Sequence, residues 1–180
     1  MLTDKICINK LIASAYTIPT DSPESDGTVE WNSTTLILVE IEAGGKSGIG
    51  YTYADASIAH LINKTLKKLI IGADSLQIPA IHLSLVAAIR NNGNCGLASM
   101  AVSAIDNALW DLKAKILNLP LALLLGTARN DFPIYGSGGF TSYSVDRLQK
   151  QLGGWAEQGI RQVKMKIGRE AEKDVARVKL

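Results

Sequence analysis

Apolar and polar positions alternate through the first third of the chain, which is the pattern of strands that bury one face. Strands are predicted over residues 5–17, 34–42 and 47–53, and the glycine pair within 43–46 predicts a tight turn between the last two. The stretch 19–30 is polar, with four acids, two prolines and a glycine, and predicts an exposed, mobile loop. These elements together predict a small antiparallel sheet of three strands.

Helical spacing replaces this alternation in the middle of the chain. Apolar residues three and four positions apart predict helices over residues 55–72, 79–93, 94–116 and 120–125. The third of these helices carries one apolar stripe, formed by Leu97, Ala101, Ile105, Ala108, Leu112 and Ile116. Small residues dominate its first half, which favours the close approach of a neighbouring helix.

The last third of the chain alternates strands with helices, as parallel α/β folds do. A strand over 132–135, a Gly/Ser-rich turn over 136–139 and an amphipathic helix over 144–158 come first. A strand over 162–167 and a helix over 170–180 follow. Two such units neither close a barrel nor bury a sheet by themselves, so this part is predicted to be incomplete.

Composition and charge exclude several classes of protein. The 180 residues are 47% apolar and 20% charged, and the net charge of +2 is too small for a nucleic-acid-binding surface. No apolar run is long enough to predict a membrane span. The two cysteines, Cys7 and Cys95, form neither a zinc pattern nor a disulfide framework, which favours the cytoplasm. With two histidines, His60 and His82, a histidine-rich metal site is nearly excluded.

The most informative spacing is that of Lys164 and Lys166, because residues two apart on a strand share a face. If Val163, Met165 and Ile167 face the helices, both lysines face the inside of a barrel. Repulsion and desolvation then favour a neutral amine, so one lysine is expected to work as a base near neutral pH. The alternative is a pair of solvated lysines on an exposed strand, as most such pairs are.

Two further positions are candidates for binding. Ser137 follows the first predicted strand of the last third and is placed at the same barrel rim, although a glycine-permitted turn without a ligand explains it as well. Tyr51 and Tyr53 alternate on a strand, where they either pack or border a pocket. Asp106 and Asp111 lie five apart on a helix and do not form a carboxylate pair.

Several longer motifs carry a family resemblance. They are SAIDNALWDLKAK at residues 103–115, Leu-Pro at 119–120 with Leu-Leu-Gly at 124–126, PIYGSGG at 133–139 and VKMKIG at 163–168. Together they resemble the enolase superfamily, in its mandelate racemase/muconate lactonizing enzyme branch. The resemblance covers the whole chain, and the motifs are specific in combination rather than singly.

The resemblance implies a fold in two parts. Residues 1–128 would be an α+β capping domain, a three-stranded antiparallel sheet plus helices. Residues 129–180 would be the first two βα units of a (β/α) TIM-type barrel. The implied chemistry is removal of the proton α to a carboxylate by an acid-sugar dehydratase, racemase or epimerase, with Mg²⁺ holding the enediolate.

The resemblance also implies roles for single residues. Lys166 resembles the general base, Lys164 its companion at the carboxylate, and Ser137 a substrate contact. The segment 19–30 and the turn around Tyr51 resemble loops that close over the substrate. The implied Mg²⁺ ligands would fall beyond residue 180, so the chain alone is expected to be an inactive fragment without a metal site. The complete protein is expected to be a homo-oligomer acting on a small carboxylate.

Two other interpretations stay open at this point. One is a non-catalytic capping-type module, or a relic, that acts in oligomer contacts. The other is a lysine enzyme in which Lys166 is a nucleophile that forms a Schiff base with a carbonyl substrate.

Overall fold

The computed structural model describes residues 4–179, which form two compact units. The first unit contains the described residues through Ile18 together with Thr35–Ala128. The second contains Pro19–Thr34 together with the described residues from Arg129 onward. The predicted fold class is confirmed, because a three-stranded sheet with helices is followed by a short parallel sheet.

The three-stranded sheet has the order β1 (Ile8–Ser25), β2 (Glu30–Ala43) and β3 (Lys46–Tyr53). Strands β2 and β3 pair antiparallel, in a register that runs from Leu36 opposite Tyr53 to Ala43 opposite Lys46. Gly44 and Gly45 close this hairpin with φ values of 58° and 71°, which only glycine adopts at little cost.

The loop predicted over residues 19–30 is wrong for most of its length. Strand β1 continues to Ser25 and β2 begins at Glu30, so the connection is confined to residues 26–29. Prolines 19 and 23 suggested a loop, but β1 is the edge strand of the sheet, and edge strands are where sheets tolerate proline.

Seven helical segments follow the sheet in the described part of the first unit. Their bounds are Ser57–Leu61 (α1), Lys67–Ile70 (α2), Ile78–Ala88 (α3), Leu97–Ile116 (α4) and Leu121–Leu125 (α5), with a π-helical turn at Ile62–Leu66. A 3₁₀ turn, Arg90–Asn92, follows α3. The single helix predicted over 55–72 is therefore interrupted, and Asn63 in the π turn both accepts from the N–H of Ala13 (3.1 Å) and donates to its carbonyl (2.7 Å).

The core of the first unit lies between the sheet and α4. Four positions of the predicted stripe are buried there, Ala101, Ile105, Ala108 and Leu112, whereas Leu97 is exposed. Strand β3 presents Gly48 and Gly50 to this helix. A Cβ atom on either glycine would overlap a backbone carbonyl of α4, that of Ala108 or that of Ala104. Helix α4 therefore packs against a strand at Ala104, one of the small residues predicted to admit a neighbouring helix, and it also contacts α1 and α3.

The second unit contains a parallel pair, β4 (Gly136–Ser137) and β5 (Val163–Lys164), with helices α6 (Val145–Glu157) and α7 (Ala171–Val178). The strand predicted over 132–135 is wrong, because pairing begins at Gly136, inside the predicted turn. The indole of Trp155 occupies the space that a side chain at Gly136 would need. Because glycine has no side chain, Gly136 can pair with Val163 beneath this ring. The predicted end of the last helix, Leu180, lies outside the described residues.

A tight turn at residues 26–29 joins β1 to β2. The N–H of Asp26 donates to the carbonyl of Val29 (3.0 Å), and the Asp26 carboxylate accepts the N–H groups of Thr28 (2.7 Å) and Val29 (2.8 Å). The N–H of Val29 and then that of Thr28 lower the pKa of Asp26, and the Thr28 hydroxyl and the positive charge of Lys166 add to this.

Replacement of Gly50 by alanine tests the approach of β3 to α4. The added methyl group meets helix backbone that cannot move aside, so Gly50→Ala is expected to lower the free energy of unfolding by about 3 kcal/mol. Gly45→Ala is the matched control in the same hairpin, because its Cβ has open space and carries only the backbone cost of a positive φ, about 1 kcal/mol. Equal losses in denaturant unfolding would contradict the packing argument.

The Asp26 turn is expected to respond to acid. A carboxylate with a lowered folded pKa stabilises the turn fully above its ordinary pKa of 3.8, and this stabilisation is lost as the pH falls through the folded value. The amide proton of Val29, followed by NMR, should report a titration below pH 3.8 that Asp26→Asn abolishes. A titration at or above the ordinary value would refute the turn geometry.

Candidate functional site

The backbone of the second unit brings the predicted lysines to one edge of the parallel pair. Gly136 lies opposite Val163, and Ser137 lies opposite Lys164. The hydrogen bonds continue beyond the two strands, from the N–H of Gly138 to the carbonyl of Lys164 (3.1 Å) and from the N–H of Lys166 to the carbonyl of Gly139 (2.9 Å). Since parallel strands end at the same edge of a sheet, Ser137 and both lysines lie at the carboxyl edge.

Alternation along β5 separates the lysines from the apolar side chains. Val163 and Met165 line a cavity with Leu148 and Leu152 of α6, as the sequence predicts. Lys164 directly follows Val163, and Lys166 directly follows Met165. Because side chains alternate along a strand, both lysines lie on the other face. Ile167, the third residue expected to face the helices, is exposed.

The two lysines have different surroundings. The ammonium of Lys164 is exposed and lies 5.4 Å from the centroid of the Tyr135 ring, a cation–π distance. Lys166 is half-buried and is close enough to Asp26 for its positive charge to lower the pKa of that carboxyl, after the turn's own hydrogen bonds. Sequence reasoning did not single out Asp26, because the residue lies 140 positions away, in a segment expected to be mobile.

Hydrogen bonds fix the Asp26 turn against the loop that follows β4. Thr141 donates from its N–H to the carbonyl of Ser25 (2.9 Å) and from its hydroxyl to the carbonyl of Asp26 (3.0 Å). The hydroxyls of Ser25 and Thr141 lie 2.6 Å apart, and that of Ser142 donates to the carbonyl of Pro23 (2.7 Å). These contacts lie within the second unit, so the turn belongs to the surroundings of the lysines.

A glycine, Gly27, allows the Asp26 turn to approach β5 closely. A Cβ atom on Gly27 would lie 2.8 Å from the carbonyl oxygen of Ile167, the residue that follows Lys166. Gly27 thus lets the turn lie directly against the end of β5. Farther along, Glu30 and Arg169 form an ion pair at 3.2 Å.

The two predicted binding residues lie in different units. Ser137 is exposed at the carboxyl edge of β4, in register with Lys164. Tyr51 lies on β3 in the first unit, exposed on the sheet face opposite the helices, with its ring 6.1 Å from that of Tyr53.

The described part of the chain contains no cluster of side chains that could bind a metal ion. Among residues 4–179, no group of three or more His, Cys, Asp or Glu side chains is arranged to hold one. His82 lies instead against Asp106, with Nδ1 and Oδ1 3.2 Å apart, in the first unit. These residues do not fit the Mg²⁺ site that the family resemblance implies.

The helices of residues 4–179 were also compared with the requirements of a membrane span, and none is both long and apolar enough.

Comparison with known proteins gives relatives over almost the whole chain. The 3,6-anhydro-alpha-L-galactonate cycloisomerase of Streptomyces coelicolor is 35% identical over 95% of this chain and 49% of its own length. A mandelate racemase/muconate lactonizing enzyme-like protein from Rubrobacter xylanophilus is 56% identical, with a TM-score of 0.93 over 96% of this chain and 48% of its own.

A third relative was crystallised with ligands. L-talarate/galactarate dehydratase from Salmonella typhimurium, solved with Mg and L-lyxarohydroxamate, is 30% identical, with a TM-score of 0.85 over 98% of this chain and 48% of its own. The chain therefore spans about half the length of the relatives it matches.

The family model described as the mandelate racemase / muconate lactonizing enzyme N-terminal domain matches residues 16–126. With this match and relatives at 30% identity or more, the chain belongs to the mandelate racemase/muconate lactonizing enzyme family of the enolase superfamily.

Proposed function

We propose that the complete protein removes the proton α to the carboxylate of an acid sugar, as a dehydratase, cycloisomerase, racemase or epimerase. The observation that carries this proposal is the position of Lys164 and Lys166 on one face at the carboxyl edge of β5. Relatives that share this part of the chain are named as a sugar-acid cycloisomerase and a sugar-acid dehydratase.

In this proposal Lys166 is the base. A lysine base takes the proton from the α carbon onto its unprotonated amine and holds it as an ammonium, and the electron pair of the broken C–H bond passes toward the carboxylate. Lys164 contacts that carboxylate, because an ammonium attracts the negative charge that grows on its oxygens. The ring of Tyr135 stabilises the charge of Lys164 without neutralising it.

The Asp26 turn forms one wall of the proposed site. Its hydrogen bonds to Thr141 and the close approach of Gly27 to Ile167 hold it beside Lys166. A wall at this position excludes water from the amine and limits the substrates that reach it. We assign Ser137 and Tyr51 as further substrate contacts, Ser137 from its register with Lys164 and Tyr51 from the family resemblance alone.

Three further points belong to the same proposal. The domain boundary lies at residue 128, with a capping domain before it and a barrel after it. The complete protein requires Mg²⁺, as the relative crystallised with it suggests, with ligands outside the described residues. The 180 residues alone do not catalyse, because they span about half the length of the relatives.

Substitution of Lys166 tests the assignment of the base. In the complete protein with Mg²⁺ and a panel of sugar acids in D₂O, Lys166→Met is expected to lower α-proton exchange by at least about 100-fold, as loss of a general base does. Lys150→Met, on the exposed surface of α6, is the matched control and should keep the exchange rate. Proton NMR of the recovered substrate measures both.

The same experiment separates the other interpretations. Undiminished exchange in Lys166→Met would refute the assignment of that base. Covalent trapping of a carbonyl substrate on Lys166 by borohydride would favour the Schiff-base nucleophile. A complete protein that exchanges no α proton in any sugar acid would favour the non-catalytic module.

A further inference from the structure

The end of the hairpin formed by β1 and β2, residues 22–31, is anchored to the rest of the second unit along both of its strands. We call this segment the hairpin tip. On the β1 side, the hydroxyl of Ser142 donates to the carbonyl of Pro23 (2.7 Å), and the guanidinium of Arg147 donates to the hydroxyl of Ser22. Both donors belong to the loop after β4 or to the start of α6.

The β2 side of the hairpin tip is anchored as well. The ring of Trp31 packs edge-on against that of Phe140, with centroids 5.5 Å apart, and its N–H donates to Glu24 across the hairpin (2.9 Å). The ion pair of Glu30 with Arg169 lies one residue away. Lids are drawn from segments with few packed contacts, whereas the hairpin tip has contacts on both flanks.

Thr141 contacts the middle of the hairpin tip through its hydroxyl. That hydroxyl carries one proton, which Thr141 donates to the carbonyl of Asp26 (3.0 Å). The proton in the 2.6 Å contact between the hydroxyls of Thr141 and Ser25 therefore comes from Ser25. Because Ser25 is buried, its hydroxyl would be left without an acceptor if that of Thr141 were removed. The two hydroxyls thus form a directional chain that ends on the backbone of the Asp26 turn.

We propose that Thr141 is a positioning residue that holds the hairpin tip as a fixed wall of the lysine site, present before any substrate binds. This inference rests on the proposed function, and it differs from the family resemblance, which implies a loop that closes over the substrate. A wall that is already formed lowers the entropic cost of binding, because no segment has to be ordered when the substrate enters. Thr141 therefore acts on substrate affinity, and removal of the proton stays with Lys166.

Amide hydrogen exchange in the complete protein tests whether the wall is fixed. The N–H of Thr141 donates to the carbonyl of Ser25 (2.9 Å), so its exchange reports separation of the hairpin tip from the loop after β4. Without substrate, this exchange should be at least about 1,000-fold slower than in an unstructured peptide. Thr141→Val should speed exchange at the same amide at least about 10-fold, because Ser25 and Asp26 lose their hydroxyl partner. Fast exchange in the unaltered protein would show a mobile tip and overturn the proposal.

Steady-state kinetics separate this positioning role from a general effect on folding. With Mg²⁺ and the sugar acid that the complete protein turns over fastest, Thr141→Val is expected to raise KM about 10-fold and to change kcat less than about twofold. Thr141→Ser restores the hydroxyl and should restore KM. Thr127→Val is the matched control, since it removes a hydroxyl that donates to a backbone carbonyl in the first unit, that of Ala122 (3.3 Å).

The outcomes distinguish this proposal from the proposed function. A lower kcat at unchanged KM in Thr141→Val would overturn the positioning role, because loss of folded protein lowers the apparent kcat alone. A KM that Thr141→Ser does not restore would overturn it too. If the unaltered protein turned over no sugar acid, the proposed function would be contradicted instead, and exchange of the Thr141 amide would still decide whether the wall is fixed.

Discussion

The contact between the backbones of β3 and α4 is the constraint on which the first unit depends. Gly48 and Gly50 remove two side chains from the inner face of β3, so a strand approaches a helix at a distance that no other residue permits. On α4 the residues at this contact are Ala104 and Ala108, which are fully buried. The large side chains of β3, those of Ile49, Tyr51 and Tyr53, lie on the opposite face of the strand and are exposed.

The second unit is organised by polar contacts around a short ladder. The two strands have only two residues each and provide little pairing. Thr141 adds three hydrogen bonds to Ser25 and the Asp26 turn: two are donated to backbone carbonyls, and one joins its hydroxyl to that of Ser25. This turn is distant in sequence from Lys166, but the charge of Lys166 lowers the pKa of Asp26, and Gly27 lies against the carbonyl of Ile167, the next residue. The two lysines therefore differ in their neighbours, since Asp26 lies near Lys166 and the ring of Tyr135 lies near Lys164.

Side-chain periodicity predicted the elements that bury one face. It did not predict the features that depend on backbone contacts between distant parts of the chain. The strands over 34–42 and 47–53 and the stripe of α4 follow from alternation and helical spacing, and the lysine pair follows from its spacing of two. The strand at Gly136 does not, since a glycine carries no apolar signal and its pairing depends on the position of Trp155. The sequence did not point to Asp26 either, because its place beside the lysines depends on contacts with residues more than 100 positions away.

The two units differ in what holds them together, and the proposed lysine site lies in the unit with less apolar burial. Nearly all of the large, fully buried side chains of the described residues belong to the first unit, whereas the second buries chiefly Tyr143 and Leu148. Val175 and Val178 of α7 stay exposed. With so little apolar burial, the geometry of the lysine edge rests on directional hydrogen bonds, which lose strength steeply when misaligned. The hydrogen bond from the N–H of Lys166 to the carbonyl of Gly139, and the Asp26 turn against Ile167, are among the contacts at this edge.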